Sequence, residues 1–371
     1  MFSLVWEKHS KLGKAGIGVD TAGSIWDEMS CDEIQDMMNQ MLGSNTFSFS
    51  DYVAQMIQGK LPFSLQSFVE TIFHGFAANL TQERKMYVYL ILIAVVGAVL
   101  SNFSSLLQGK QVAETAFYAV YILFFSVLLS AFIQVAQIAE ETLTQLLDFI
   151  KVLAPSYFMT MTFSQGAVTS GIYYQFTLSM IALVDYVLVK FALPAIHIYF
   201  LLKIANQLSK QDMFTKMAEL VHDAVKFVMK TMFGIMMGIN VIQGMLLPLT
   251  SQIENSAVIK MAGAIPGFGS TISSVASTVL CAGKLVKNSV GVAGVIVVVL
   301  YCGVPLLRLV VNRFLFQVTN AVIQPVSDKR ITSCIGAVVE SLQLLTYAVF
   351  VGCMMFVISI AIMSVMTGSV G

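Results

Sequence analysis

Between Asn288 and Ile323 the chain is almost wholly apolar, broken only by Pro305, Arg308 and Arg313. As one straight helix that run would be about 54 Å long, whereas the hydrocarbon core of a bilayer is about 30 Å thick. The run therefore predicts a bend. Pro305 gives it a local cause, because proline removes a backbone donor and clashes with the preceding turn. Beyond the bend the chain is expected to run along the interface or to fold back.

The same pattern occurs earlier. Pro194 lies 39 residues after Pro155, and Pro305 lies 39 residues after Pro266. An Ile-Lys pair, Ile150-Lys151 or Ile259-Lys260, precedes each first proline, and His197 or Arg308 follows each second proline at the third position. Lys203 and Arg313 come next, and each copy closes with a Gly- and Met-rich apolar segment. This predicts a duplicated membrane unit over 146–256 and 257–371.

Hydrophobic residues make up 57% of the 371 and charged residues 11%, against about 25% charged in soluble domains. Long apolar runs without period-2 alternation point to an all-α, polytopic helical membrane protein with about six to eight spans. The formal net charge is zero, which gives no pull toward nucleic acid. Acidic side chains outnumber basic ones within 1–84, and the balance reverses afterwards. The five cysteines show no CxxC spacing and are expected as small buried apolar residues, not as a disulfide framework or a metal site.

Residues 1–84 form an acidic amphipathic N-terminal region. Trp26, Met29, Ile34, Met37 and Met41 recur at helical spacing, and Gly43 to Ser50 is expected as a loop. This region could pack on itself as a small helical domain or present a face to a partner or membrane surface. A transmembrane hairpin follows at 85–145, with spans at Tyr87–Leu107 and Ala116–Ile138, and Glu140-Glu141 separate it from the first repeat. Breaks are expected at SQGAVTSG (164–171) and at the Gly- and Ser-rich stretch Lys260–Gly283. Corresponding interruptions in two halves of a chain point to a transport path or to surface segments. The candidate hinge or broken-helix positions are Pro155, Pro194, Pro266, Gly267, Gly269 and Pro305.

No catalytic constellation emerges. The four histidines are isolated, Gly283-Lys284 lacks the earlier glycine of a phosphate loop, and the serines of 270–277 have no activating neighbour. The chain reads as non-enzymatic, with no cofactor and no metal. Ionisable groups at membrane depth are the remaining candidates: Asp185, Lys190, His197, Lys203, Arg308 and Arg313. Each would face protein or water, by snorkelling, by structural pairing or by lining a conduit. Asp185 and Lys190 are five residues apart, about 140° around an α-helix, and so make a poor pair within one helix.

The segments KNSVGVAGVIVVVL, VPLL at 304–307, AVIQPVSDKRITSCIG, AIPGFG at 264–269 and KTMFGIMMGINVIQG with its following LLPLT resemble the stage III sporulation protein AE family. The resemblance spans about 50–371. It implies a multi-pass component of the mother-cell membrane around the engulfed forespore of endospore-forming bacteria. There it would contribute to a secretion-like channel, or feeding apparatus, needed for late forespore development. The implied partners are other stage III sporulation operon proteins, including a secretion-type ATPase, and the lipid bilayer. A homo-oligomer is compatible with this reading. Family members begin with a signal sequence, whereas Met1–Val5 is too short an apolar run for one, and the intermembrane space is favoured for the acidic segment. Two other readings stand beside it: an autonomous secondary transporter with a midplane site near Asp185, and a scaffold acting through 1–84.

Overall fold

The computed structural model describes residues 32–42, 48–58, 110–165, 167–208, 213–263, 269–325, 327 and 329–366, with isolated positions between 88 and 96. All regular structure among them is helical: α1 (Asp32–Leu42), α2 (Phe49–Ile57), α3 (Lys110–Gln165), α4 (Ala167–Val184), a π-helix (Asp185–Ala192), α5 (Leu193–Leu208), α6 (Thr215–Gly263), α7 (Gly269–Ile323) and α8 (Lys329–Met366). Five helical stretches among the described residues are long and apolar enough to cross a membrane: Tyr121–Thr162, Ala167–Gln207, Thr215–Gln243, Ser277–Ile323 and Lys329–Ile362. The all-α, polytopic membrane architecture expected from the sequence is the one observed. The expected span at Tyr87–Leu107 falls almost entirely outside the described residues.

At the centre lies the antiparallel hairpin α7–α8. Gly291 meets Ser364, Cys302 meets Cys353 and Arg313 meets Gln343, so numbers rise along one helix as they fall along the other. Val286, Val290, Ala293, Val297 and Val298 of α7 are fully buried, as are Leu342, Leu345, Ala348 and Val349 of α8. Glycine brings the helices this close. A β-carbon on Gly291 would stand 2.0 Å from Ser364 Oγ, and one on Gly352 would stand 2.6 Å from Leu143 Cδ2 of α3. Small residues at helix contacts are the usual means of close packing inside a membrane, where lipid supplies no hydrophobic drive. Around the hairpin α3 packs on α7 and α8, α5 and α6 pack on α8 and on each other, and α4 packs on α3.

The hairpin corrects one expectation. The chain neither folds back nor leaves the helix at Pro305, and α7 is α-helical from Gly269 to Ile323 with the proline inside it. Its apolar stretch of 47 residues is about 70 Å long, more than twice a bilayer core. A proline costs one ladder bond, and packing by neighbouring helices makes that loss tolerable in a membrane protein. Pro155 likewise lies within α3. Glu140 and Glu141 do not interrupt α3 either, and of the stretch 164–171 expected as a break, residues 164–165 end α3 and 167–171 begin α4, with the Thr162 and Ser170 hydroxyls 2.9 Å apart. Gly269 opens α7, while Pro266 and Gly267 lie outside the described residues.

Pro194 behaves differently. Immediately before α5 the chain adopts a π-helix, in which the Leu193 N–H donates to Leu188 O, five residues back. An ordinary α-turn would press the proline ring against the carbonyl four residues earlier. Widening the preceding turn to i→i−5 bonding relieves that clash, so the interruption expected at Pro194 takes the form of a π-helix.

At the N-terminus, α1 buries Ile34, as expected, and Met38, with Met37 half-buried beside it, and leaves Glu33 and Asp36 exposed; Trp26 and Met29 lie outside the described residues. α2 starts at Phe49, inside the stretch expected as a loop. Ser48 Oγ caps it by accepting from Asp51 N, and Gln35 of α1 accepts from Phe49 N at 2.8 Å. The two helices do not form a self-contained domain. Phe49 and Val53 are fully buried, and α1 and α2 pack on α3 and α7.

The cysteines correct a second expectation. Cys302 and Cys353 form a disulfide pair across the hairpin, with Cα atoms 6.5 Å apart. They stand 51 positions apart in sequence, so no local spacing announced them. Cys334 is buried and shares a hydrogen bond with the Tyr121 hydroxyl, and Cys281 is exposed.

Candidate functional site

Polar side chains gather where α5, α6 and α8 converge. Tyr199 is buried on α5, and its hydroxyl donates to Glu340 Oε2 of α8. Lys203, one turn further along α5, places Nζ 3.1 Å from the same oxygen and 5.7 Å from the Tyr199 ring centroid. From α6, the His222 ring lies 5.3 Å from that of Tyr199, and its Nδ1 is 3.1 Å from Asp223 Oδ1. One carboxylate therefore ties two helices through a lysine and a phenol, beside an imidazole from a third. Lys203 and Glu340 keep 29% and 49% of their side-chain surface, so the ion pair itself contributes about 0.5–1 kcal/mol. Beyond this cluster Asn206 fastens the α5–α6 corner. Its Oδ1 accepts from Phe214 N and its Nδ2 donates to Thr215 Oγ1, both at 2.9 Å.

A cleft of about 560 Å³ opens between α6, α7 and α8. Lys226 and Lys230 line it from α6, Leu306, Leu307, Val310 and Arg313 from α7, and Gln343, Thr346, Tyr347 and Phe350 from α8. Arg313 Nη2 donates to Gln343 Oε1 at 3.1 Å. No carboxylate lines the cleft.

Asp185 and Lys190 bracket the π-helix. Met180 touches Ser359 of α8 and Tyr199 touches Glu340, so Asp185 lies at the depth of the apolar body of α8 between those two contacts. The expected mismatch of about 140° assumed an α-helix. In a π-helix the i→i+5 bond closes one turn, which turns Asp185 and Lys190 toward one face. No hydrogen bond or ion pair joins either of them to another described residue.

The other sequence candidates are structural in their contacts. His197 Nδ1 is 2.8 Å from Leu193 O of its own helix, and its ring meets Phe132 of α3 edge-on at 5.4 Å. Arg308 is half-buried, and its carbonyl accepts from Asn312 Nδ2 at 3.1 Å. The structure thus gives Lys203 and Arg313 interhelical partners, whereas Asp185 and Lys190 stand apart from them.

Several residues that organise these contacts were not singled out from sequence. Glu340 is an acid alone among apolar neighbours in AVVESLQLL, a signal as strong as that of Asp185. Lys287 is fully buried in α7, and Tyr301 donates to Gln145 of α3. Deeper in the helices, Asn240 Nδ2 donates to Ser359 Oγ at 2.9 Å, and Ser341, Thr346 and Ser359 return their hydroxyl protons to carbonyls four residues back. Such back-bonding satisfies a hydroxyl within its own helix and leaves no periodic trace in sequence.

Among proteins of known family, residues 47–367 match the model of the stage III sporulation protein AE family. The chain is 22% identical over 357 residues to stage III sporulation protein AE of Bacillus subtilis (strain 168), covering 96% of this chain and 88% of that protein. No solved structure matches it.

Proposed function

The chain belongs to the stage III sporulation protein AE family, and from that premise we propose that it is a membrane subunit of the secretion-like channel linking mother cell and forespore. The family gives the chain a role in sporulation. The finer reading is that it forms part of the feeding apparatus required for late forespore development, sits in the mother-cell membrane around the forespore, and is not an enzyme. Its partners in this reading are the other stage III operon proteins, among them a secretion-type ATPase. The observation that carries the proposal is the family match over 47–367, which takes in all five apolar helical stretches. A platform subunit needs helices locked to one another, and the glycine contacts of α7–α8 and the clamp at Glu340 support that role.

We also read the chain as duplicated. In each proposed copy the second proline, Pro194 or Pro305, lies within a long helical segment that is followed by an apolar helix packed against it, α6 or α8. The unit pairs α4–α6 with α7–α8.

The transporter reading draws on one observation, the carboxylate of Asp185 at a π-helix within the membrane-spanning body. π-helical turns occur often at functional sites. Affinity isolation of the tagged full chain from sporulating cells distinguishes the two readings. A channel subunit brings down the other stage III operon proteins, and Asp185→Asn leaves that set unchanged. Isolation of the chain alone, with solute uptake abolished by Asp185→Asn, would overturn the channel reading in favour of the transporter.

A further inference from the structure

Three cations converge on the cleft between α6, α7 and α8. Lys226 and Lys230 are four residues apart on α6, so they stack on one face as like charges, an arrangement that destabilises a helix unless an anion lies between them. Arg313 faces them from α7. None of the three makes an ion pair with a described residue, and Arg313 Nε is buried without a hydrogen-bond partner. The nearby acids are engaged elsewhere, Glu340 with Lys203 and Asp223 with His222.

The cleft is also graded along its length. On α7 its wall passes from Arg313 through Val310 to Leu307 and Leu306, and on α8 it passes from Gln343 through Tyr347 to Phe350. Because the two helices are antiparallel with Arg313 opposite Gln343, the polar ends coincide and so do the apolar ends. The apolar end points toward the uninterrupted hydrophobic part of the hairpin, at Cys302 and Cys353. Val310 and Phe350 also expose 49% and 47% of their surface, so the cleft is open to the apolar surroundings of the helices. On α6, which runs parallel to α8 because His222 stands beside Tyr199 and Glu340 while Asn240 reaches Ser359, Lys226 lies at the Gln343 end and Lys230 one turn toward Phe350. Cations at and just beyond one end of an open apolar channel make the shape of an amphiphile with an anionic head.

We propose that this cleft binds an anionic phospholipid, with Lys226, Lys230 and Arg313 around the headgroup phosphate and the acyl chains along Leu306, Leu307 and Phe350. Basic pockets between membrane helices hold headgroups by this combination of charge and burial, and Arg presents a fork of donors that matches phosphate oxygens. The lipid bridges α6 to the α7–α8 hairpin at a place where the protein supplies no carboxylate.

The test uses the purified full chain in phosphatidylcholine nanodiscs, titrated with phosphatidylglycerol. Native mass spectrometry reads bound lipid, and the thermal midpoint reads stabilisation. Phosphatidylglycerol is expected to bind in preference to phosphatidylcholine and to raise the midpoint. Lys226→Gln, Lys230→Gln and Arg313→Gln each weaken binding about fivefold, and the triple variant weakens it about a hundredfold. Lys216→Gln, on the same helix but outside the cleft, leaves binding unchanged. If the triple variant fails to fold, the single variants at the exposed Lys226 and Lys230 carry the test. Equal binding of the two lipids, or equal phosphatidylglycerol binding by wild type and the cleft variants, overturns the proposal. Inorganic phosphate that competes at the lipid's own concentration overturns it as well, because the site would then recognise a free anion.

Discussion

An extra methyl group at Gly291 fits only if the Ser364 hydroxyl turns away. Its β-carbon would lie 2.0 Å from Ser364 Oγ and 3.2 Å from the Tyr157 hydroxyl. Overpacking of this kind costs about 1–3 kcal/mol, more than the gain of about 1 kcal/mol from replacing glycine by alanine in a helix. Gly291→Ala should therefore lower the thermal midpoint in detergent. Ser364→Ala in the same chain removes the clashing oxygen and should restore it. Gly336→Ala, with nothing within 4 Å of the added carbon, should not lower the midpoint at all. If Gly291→Ala melts no earlier than wild type, the Ser364 hydroxyl turns aside and the helices accommodate the methyl group without a cost. At this scale sequence reading was uneven. Asp185, Lys203 and Arg313 stood out because a charge in an apolar run is conspicuous, and Glu340 was equally conspicuous yet passed over. The glycines that admit Ser364 and Leu143 could not be told from the rest of a 25-glycine chain, since what matters is which atom of another helix arrives there.

Elements were legible in kind and less so in extent. Apolar runs announced the helices. Prolines and acidic pairs were read as breaks, yet α3 passes through Glu140, Glu141 and Pro155, and α7 passes through Pro305. At Pro305 neighbouring helices flank the weakened turn, whereas Glu140, Glu141 and Pro155 occupy exposed positions of α3 and the helix continues behind them on its buried face. Among the described helical prolines, Pro194 is where the ladder widens, into a π-turn. Contacts between elements carry their own prediction. In a double-mutant cycle on Lys203→Ala and Glu340→Ala, a coupling of about 0.5–1 kcal/mol is expected for this half-exposed pair. Chemical denaturation of the detergent-solubilised chain measures it, and additive losses would mean that α5 and α8 are held by packing alone.

Over the whole molecule, the helices enclose an apolar hairpin whose charged contacts lie away from its middle, at Glu340, Arg313 and the cleft cations. Among the described residues Asp185 and Lys190 of the π-helix are exceptions in depth, lying between the Met180–Ser359 and Tyr199–Glu340 contacts. The class, helical and multi-pass, was plain from the long apolar runs, and the family resemblance rested on several short co-linear segments. The cluster at Glu340 was not legible, because it joins residues from three helices that sequence cannot bring together.

The proposed place of this chain is the mother-cell membrane around the forespore. The direct measurement is the position of a functional C-terminal fluorescent fusion in its native host through sporulation. Fluorescence concentrated in the membrane surrounding the engulfed forespore is the predicted result, with late forespore gene expression lost when the chain is deleted. An even distribution over vegetative and sporulating membranes alike, with forespore development intact in the deletion strain, would contradict it.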